Sequence, residues 1–313
     1  MLVNVIIGGG ISGLLALNII PDSMLLESSG ELAKDLYDMT FPKYVHDTTE
    51  IAEFAKGLKR EKFDIMIMNE GYFMNFFNNT RKEQQFQIFQ AYRLKKYGQS
   101  LIPVSLDKMN GYLSGKRANK FIADKEGLVK NLCTQGLRIE TNNEVSLIDL
   151  ENKSLKANGT TYFYDNLIST IPISTFSKLS GLHLDIRFIT IPVIRVSIES
   201  KFDICKHFIY SVDFSYHFHR INVNESMNEL VFEMDTKHQD DVRTCLDFLV
   251  DYKIKYGAIN KQTYKFPVVD KFPILDNTYF LGRLAEGNYS IKIEDVIKHA
   301  RQITTDIQHT KKD

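Results

Sequence analysis

The chain has 313 residues, with 39 basic side chains balanced by 39 acidic ones and a hydrophobic share of 43%. That length buries a sizeable core in one large or two interleaved domains. Balanced charge argues against a protein held to its partner mainly by phosphate electrostatics, although a local basic patch is compatible with it.

The first predicted element is a short β-branched strand from Leu2 to Ile7, an apolar run of the kind buried in parallel sheets. Gly8-Gly9-Gly10 follows, then an apolar helix from Ile11 to Ile20, stopped by Pro21. Met24-Leu25-Leu26 is a second strand ending at Glu27, which makes one βαβ unit. Phe63 to Met74 reads as a hairpin around Asn69-Glu70-Gly71. Thr80 to Tyr97 reads as a helix ending at Gly98, and Gly127 to Leu132 as part of another.

Strands are expected over Val145–Leu150, Thr161–Ile171, Ile189–Ile198 and Glu229–Met234. Val242, Cys245, Leu246 and Leu249 form the apolar stripe of a helix. Tyr279–Leu281 is a short strand, and the final helix runs from Ile293 to Ile307. Glu294 and Asp295 lie in its first turn, where the helix dipole favours negative charge. No run reaches the ~18 apolar residues of a membrane span. The N-terminal run lacks the basic leader of a signal peptide. Cys133, Cys205 and Cys245 form no CxxC pair and no zinc set, and read as reduced thiols of a cytoplasmic protein.

Gly8-Gly9-Gly10-Ile11-Ser12-Gly13 fits GxGxxG between a strand and a helix, with Glu27 at the end of the next strand. Gly8 permits the tight turn, Gly10 lets the backbone approach a pyrophosphate, and Gly13 lets helix and strand pack closely. The helix N-terminus offers N–H groups to the phosphates. Glu27 is placed to accept hydrogen bonds from the ribose hydroxyls, an arrangement that disfavours NADP. The motif alone does not separate FAD from NAD.

The C-terminal stretch Leu281-Gly282-Arg283-Leu284-Ala285-Glu286, then Asn288-Tyr289 and Ile293-Glu294-Asp295-Val296-Ile297, resembles UDP-galactopyranose mutase and its relatives among the amine oxidase and protoporphyrinogen oxidase-like flavoproteins. Gly127-Leu128-Val129, Val145 and Asp165-Asn166-Leu167-Ile168-Ser169-Thr170-Ile171-Pro172 resemble further segments of those families.

The resemblance implies an α/β fold: a Rossmann-like FAD-binding domain with an inserted mixed-sheet and helical substrate domain. It divides the chain into 1–55, 122–178 and 268–313 for the cofactor, and 56–121 and 179–267 for the substrate. It implies non-covalent FAD held by Gly8, Gly10, Ile11, Ser12, Gly13, Glu27, Ser28, Lys34, Val145, Thr170, Gly282, Arg283, Asn288 and Ile293. Val145 is placed like the residue whose backbone meets the adenine. Two departures stand out. Only Gly30 occupies the region of a usual Gly-Gly pair, so the pyrophosphate side is either looser or served by Lys34. Tyr44-Val45-His46-Asp47 replaces the mutase's Gly-x-His-x-Phe-His segment, which counts against the mutase reaction.

On the substrate side, His217-Phe218-His219-Arg220 resembles a Phe-x-Arg segment that faces the pocket in this superfamily. Arg220 suits a carboxylate or phosphate and the histidines suit proton transfer. An alternating strand with two surface histidines explains them equally well. Arg195, in an apolar strand, either faces the pocket or pairs with Glu199 or Glu233. Tyr264 is a candidate pocket residue, and Tyr289, nearer the flavin segment, a stronger one. His46 reads as an ordinary partly buried histidine, and nothing points to a metal.

The leading expectation is an FAD-dependent oxidoreductase of amine oxidase type, taking a hydride from a small polar amine. The alternatives are a mutase-like enzyme on a nucleotide sugar, a flavoenzyme acting on an amine-bearing nucleobase in nucleic acid, and a non-catalytic nucleotide-binding module. The expected partner is a small molecule, with no membrane. The sequence does not speak to oligomeric state.

Overall fold

The structure is a computed structural model describing residues 3–34, 45–75, 90–92, 95, 120–133, 136–224, 228–235, 237–272, 274–288 and 290–310. The first half runs β1 (Val3–Ile7), α1 (Ile11–Ile19), β2 (Ser23–Leu26), β3 (Arg60–Lys62), β4 (Ile65–Asn69), β5 (Tyr72–Asn75), β6 (Lys120–Ile122), α2 (Lys125–Leu132), β7 (Arg138–Glu140), β8 (Val145–Asp149) and β9 (Ser154–Ala157). The second half runs β10 (Thr160–Ser169), α3 (Ile173–Ser180), β11 (Ile186–Ile198), β12 (Phe208–Ser211), β13 (Phe218–Asn224), β14 (Glu229–Met234), α4 (Val242–Asp251), β15 (Tyr256–Val269), β16 (Thr278–Phe280) and α5 (Ile293–Thr310).

The fold class is the expected α/β. The first sheet has the order β7-β2-β1-β10-β9-β8, with β16 beside β10. β7, β2, β1, β10 and β16 are mutually parallel, whereas β8 and β9 pair antiparallel. Val5, Ile6 and Ile7 of β1 are buried, as a strand covered on both faces requires. One face packs against α1, α2 and α5 through Leu14, Leu128 and Val296. Phe176 of α3 and Leu155 of β9 belong to the core on the other face. The apolar stripe Val296, Ala300, Ile303 and Ile307 is buried as its spacing predicts.

The second sheet has the order β15-β11-β14-β13-β12-β4-β5. Cys245, Phe248 and Leu249 of α4 join the core against one face, with Phe218, Phe232 and Ile194. The β4–β5 hairpin turns at Glu70 and Gly71, both at positive φ, the conformation of a two-residue hairpin loop. A two-stranded sheet of β3 and β6 completes the set.

Several element bounds shift. α1 ends at Ile19, one residue before the prediction, with Ile20 as its extended C-cap. β10 covers Thr160–Ser169, and β11 begins at Ile186. β15, fourteen residues paired along β11, was not anticipated. Its first six residues are exposed and include Gly257, Asn260 and Lys261, so no apolar alternation marks it. Of the helix expected over 80–97, residues 90–92 and 95 are helical. The remainder lies outside the described residues, as does Tyr289.

All three cysteines are free, and burial raises each thiol pKa, that of Cys205 to about 12. Among the described residues no helix is long and apolar enough to cross a membrane, and no cluster of His, Cys, Asp or Glu is placed to hold a metal.

Candidate functional site

The glycine loop is built by exclusion. A Cβ on Gly13 would overlap the Gly8 carbonyl oxygen, and one on Gly8 would lie 2.6 Å from Thr170 Oγ1. Gly8 also sits at φ +102°, which an L side chain avoids. A Cβ on Gly10 would meet nothing within 4 Å. The two packing glycines therefore fix the turn, and Gly10 leaves space in front of it. Gly10 is the N-cap of α1 and provides no side-chain cap, so Ile11, Ser12 and Gly13 bring the uncapped N–H groups of the first turn to that space. The Thr170 hydroxyl donates at 2.9 Å to the carbonyls of Ile7 and Gly8, fastening the turn to the end of β10.

Glu27 stands beside this loop. Its Oε2 accepts from Gly9 N at 2.5 Å and its Oε1 from Ser29 N at 2.7 Å and Ser28 Oγ at 3.2 Å. Burial works to raise the carboxyl pKa, but the N–H groups of Ser29 and Gly9 outweigh it and hold the group below the usual glutamate range. The segment after β7 runs alongside: Asn143 N donates to Glu27 O, and Asn142 N to Ser29 O. Asn143 Oδ1 is buried without a hydrogen-bond partner, an acceptor that a bound donor would satisfy. Val145 opens β8 directly after this segment. Lys34 is exposed at the end of the loop that follows Glu27.

The C-terminal turn closes on the same loop. A Cβ on Gly282, at φ +98°, would overlap Ser12 Oγ, so residues far apart in sequence pack backbone against side chain. Gly282 N donates to Glu286 Oε1 at 2.9 Å, and the same oxygen lies 3.1 Å from His299 Nδ1 on α5. Arg283 donates to the Ile291 carbonyl, and Asn288 Oδ1 accepts from Ser290. Ile293 is the first residue of α5. The N–H groups of the glycine loop, the carboxylate of Glu27, the orphaned Asn143 oxygen and the open space at Gly10 together fit a dinucleotide.

The candidate substrate-side residues divide. Arg195, Arg220 and Asn222 sit on the second sheet beside two glutamates. Arg195 pairs with both Glu229 oxygens, at 2.9 and 2.5 Å, rather than with Glu199 or Glu233. The register explains it: Arg195 faces Val231, diagonal to Glu229, while Glu233 lies opposite Val193 and Arg220. Fully buried Glu233 accepts from Arg220 Nε at 2.6 Å and Asn222 Nδ2 at 2.7 Å, and His219 Nε2 lies 3.4 Å from its other oxygen.

His217 points elsewhere. Its Nδ1 lies 2.5 Å from Asp241, the N-cap of α4, and its ring stacks on His238 at 3.8 Å. Tyr264 is half-buried on β15, its hydroxyl 3.0 Å from Gln262. His46 packs on Phe63. Sequence reasoning missed two residues. Glu286 ties the Gly-Arg turn to α5. Lys95 is buried, with its ammonium donating to Ser211 Oγ at 2.7 Å and to the Asp213 carbonyl. Burial lowers the Lys95 pKa to about 7, against the pull of Asp213 and Asp235. An isolated lysine in a charged stretch carries no signal of this.

A pocket of about 790 Å³ adjoins the C-terminal turn, lined by the end of β15, by Phe272, Ile274 and Leu275 after it, by β16, and by Glu286, Gly287, Asn288 and Ser290. Its size is that of a small-molecule site.

No family model and no curated protein sequence matches the chain. Solved structures do. The CLA-producing fatty acid isomerase from P. acnes is similar with a TM-score of 0.66, at 12% identity over 97% of this chain and 98% of that one. Reduced UDP-galactopyranose mutase gives 0.61 at 13% identity over 99% and 96%. Putrescine oxidase bound to putrescine gives 0.61 at 11% identity over 98% and 99%. At such identities the likeness carries architecture: this chain has the fold those three proteins share, over essentially its whole length.

Proposed function

We propose that the chain is an FAD-dependent oxidoreductase of amine oxidase type, with FAD held non-covalently and a small-molecule substrate. The observation that carries the reading is the closure of the Gly282 turn on Ser12, which joins a dinucleotide loop to the segment that the motif resemblance assigns to the flavin end. Residues 1–55, 122–178 and 268–313 would form the cofactor domain, and 56–121 and 179–267 the substrate domain.

In this reading the N–H groups at Gly10, Ile11, Ser12 and Gly13 hold the pyrophosphate, with Gly8 and Thr170 fixing the turn. Glu27 and Ser28 hold the adenosine ribose, and the Val145 backbone meets the adenine. Gly282, Arg283, Asn288 and Ile293 line the far half, and Lys34 adds charge beside the phosphates. Bound FAD supplies hydride acceptance from a carbon next to nitrogen. The protein's own share is orientation and exclusion of water. Arg195 and Arg220, each neutralised by a carboxylate, would offer hydrogen bonds to an uncharged polar end of the substrate. His219, beside Glu233, holds or moves a proton, a role that falls to it rather than to His217. Tyr264 lines the approach.

The test is the purified protein itself. Flavin absorbance that survives gel filtration, and is bleached anaerobically by an amine, supports the reading; a colourless protein that takes up no added FAD refutes it. The ending Leu281-Gly282-Arg283-Leu284-Ala285-Glu286 and the likeness to the mutase favour a second reading, a non-redox reaction on a nucleotide sugar. Turnover of a UDP-sugar only after reduction of the flavin would select it.

A further inference from the structure

We infer that the substrate has an extended apolar body carrying an uncharged or cationic end, and that this body lies in the pocket beside the C-terminal turn. This rests on the proposed function and narrows its substrate class. The walls are apolar side chains drawn from three elements, among them Val268 and Val269 of β15, Leu275 of the following loop and Phe280 of β16. Phe272 and Ile274 extend the apolar surface outward, Ile274 being 99% exposed. An isoleucine held in water beside an apolar cavity loses that exposure when an apolar ligand fills it.

The polar groups point the same way. Among the described residues no lysine or arginine lines the pocket, so nothing there neutralises a diphosphate. Two carboxylates do line it, and each is already engaged: Asp270 with Arg187, and Glu286 with Gly282 N and His299. Engaged in this way, they offer no unpaired charge to a short, doubly charged diamine. The pocket is continuous with the proposed cofactor segment, because Glu286, Gly287, Asn288 and Ser290 form one of its walls and Gly287 O accepts from Val269 N.

The experiment is a fluorescence titration of the purified, FAD-supplemented protein with the apolar amine N-phenyl-1-naphthylamine, followed by displacement with propylamine, hexylamine, decylamine, putrescine and UDP-galactose. Displacement is expected to tighten by about fourfold per added methylene, with putrescine and UDP-galactose at least a hundredfold weaker than decylamine. Val268→Trp and Leu275→Trp, which fill the cavity, are expected to weaken decylamine at least tenfold while flavin content is kept. Ile274→Lys, at a position too exposed to disturb folding, is expected to weaken it several-fold.

A flat dependence on chain length, stronger displacement by UDP-galactose than by decylamine, or full probe binding in both Trp variants overturns the inference. Yellow protein with any of those results leaves the flavoenzyme reading standing. Colourless protein that still binds decylamine in this pocket upholds the ligand class and removes the cofactor.

Discussion

The two sheets build polar sites in opposite ways. In the first, the backbone supplies most of the polar groups: glycines withdraw side chains, and the N–H groups of α1 face open space. In the second, buried and half-buried charged side chains on a strand surface neutralise one another, Arg195 with Glu229 and Arg220 with Glu233. A backbone site depends on spacing and tolerates no added atom. A side-chain site depends on pairing and tolerates no subtraction.

Substitutions sharpen this contrast. The largest effect is expected from Gly13→Ala, whose methyl overlaps the Gly8 carbonyl oxygen. It should cost more than about 3 kcal/mol in urea unfolding, since overpacking here has only backbone to displace. Gly10→Ala, with nothing within 4 Å of the new atom, should fold normally and lose FAD affinity. If both unfold alike, the distinction between packing and cradle glycines fails.

Removing Glu233 by Glu233→Ala should destabilise by about 2–4 kcal/mol, because half-buried Arg220 and buried Asn222 and His219 lose their shared carboxylate. The double variant with Arg220→Met should recover part of that loss. A single-variant loss under about 1 kcal/mol would show that the pairing does not organise this sheet.

Lys95 gives a pH signature of moderate size. Its folded pKa, about 7, lies below the unfolded value, so between about pH 7 and 10.5 the unfolded chain holds more proton. Stability therefore rises with pH across that window, by at most about 1.4 kcal/mol per unit, and the burial penalty is complete below it. Lys95→Met should flatten the slope in urea titrations at pH 7 and 9. A slope unchanged in the variant would assign it to other groups.

The smallest effect is expected from Thr170→Val, which removes the hydroxyl bonded to the Ile7 and Gly8 carbonyls at about 1 kcal/mol. Flavin binding should weaken with it, as the turn is freed; unaltered stability and affinity would separate Thr170 from the loop.

The same contrast governs what was legible. The βαβ unit could be read because strand, glycine spacing and Glu27 fall within one short segment. The resemblance of the C-terminal motif pointed to a partner segment for it. On the second sheet, the partner of Arg195 depends on the register of β11 against β14, and Glu229 is chosen by strand alignment that no local pattern encodes. β15 escaped because an exposed strand need not alternate. Glu286 and His299 meet only because α5 folds back over the turn. Lys95 acquires its depressed pKa from tertiary burial, which composition cannot report.

The contact between Gly282 and Ser12 has a consequence for biosynthesis. In the order of synthesis the glycine loop precedes its lid by about 270 residues, and α5, which packs on α1, follows the lid. Throughout elongation the nascent chain carries an uncovered anion-binding helix end. Closure of the proposed cofactor site thus waits on synthesis of the Gly282 turn, and a chain truncated before Gly282 keeps the fingerprint but has no closure.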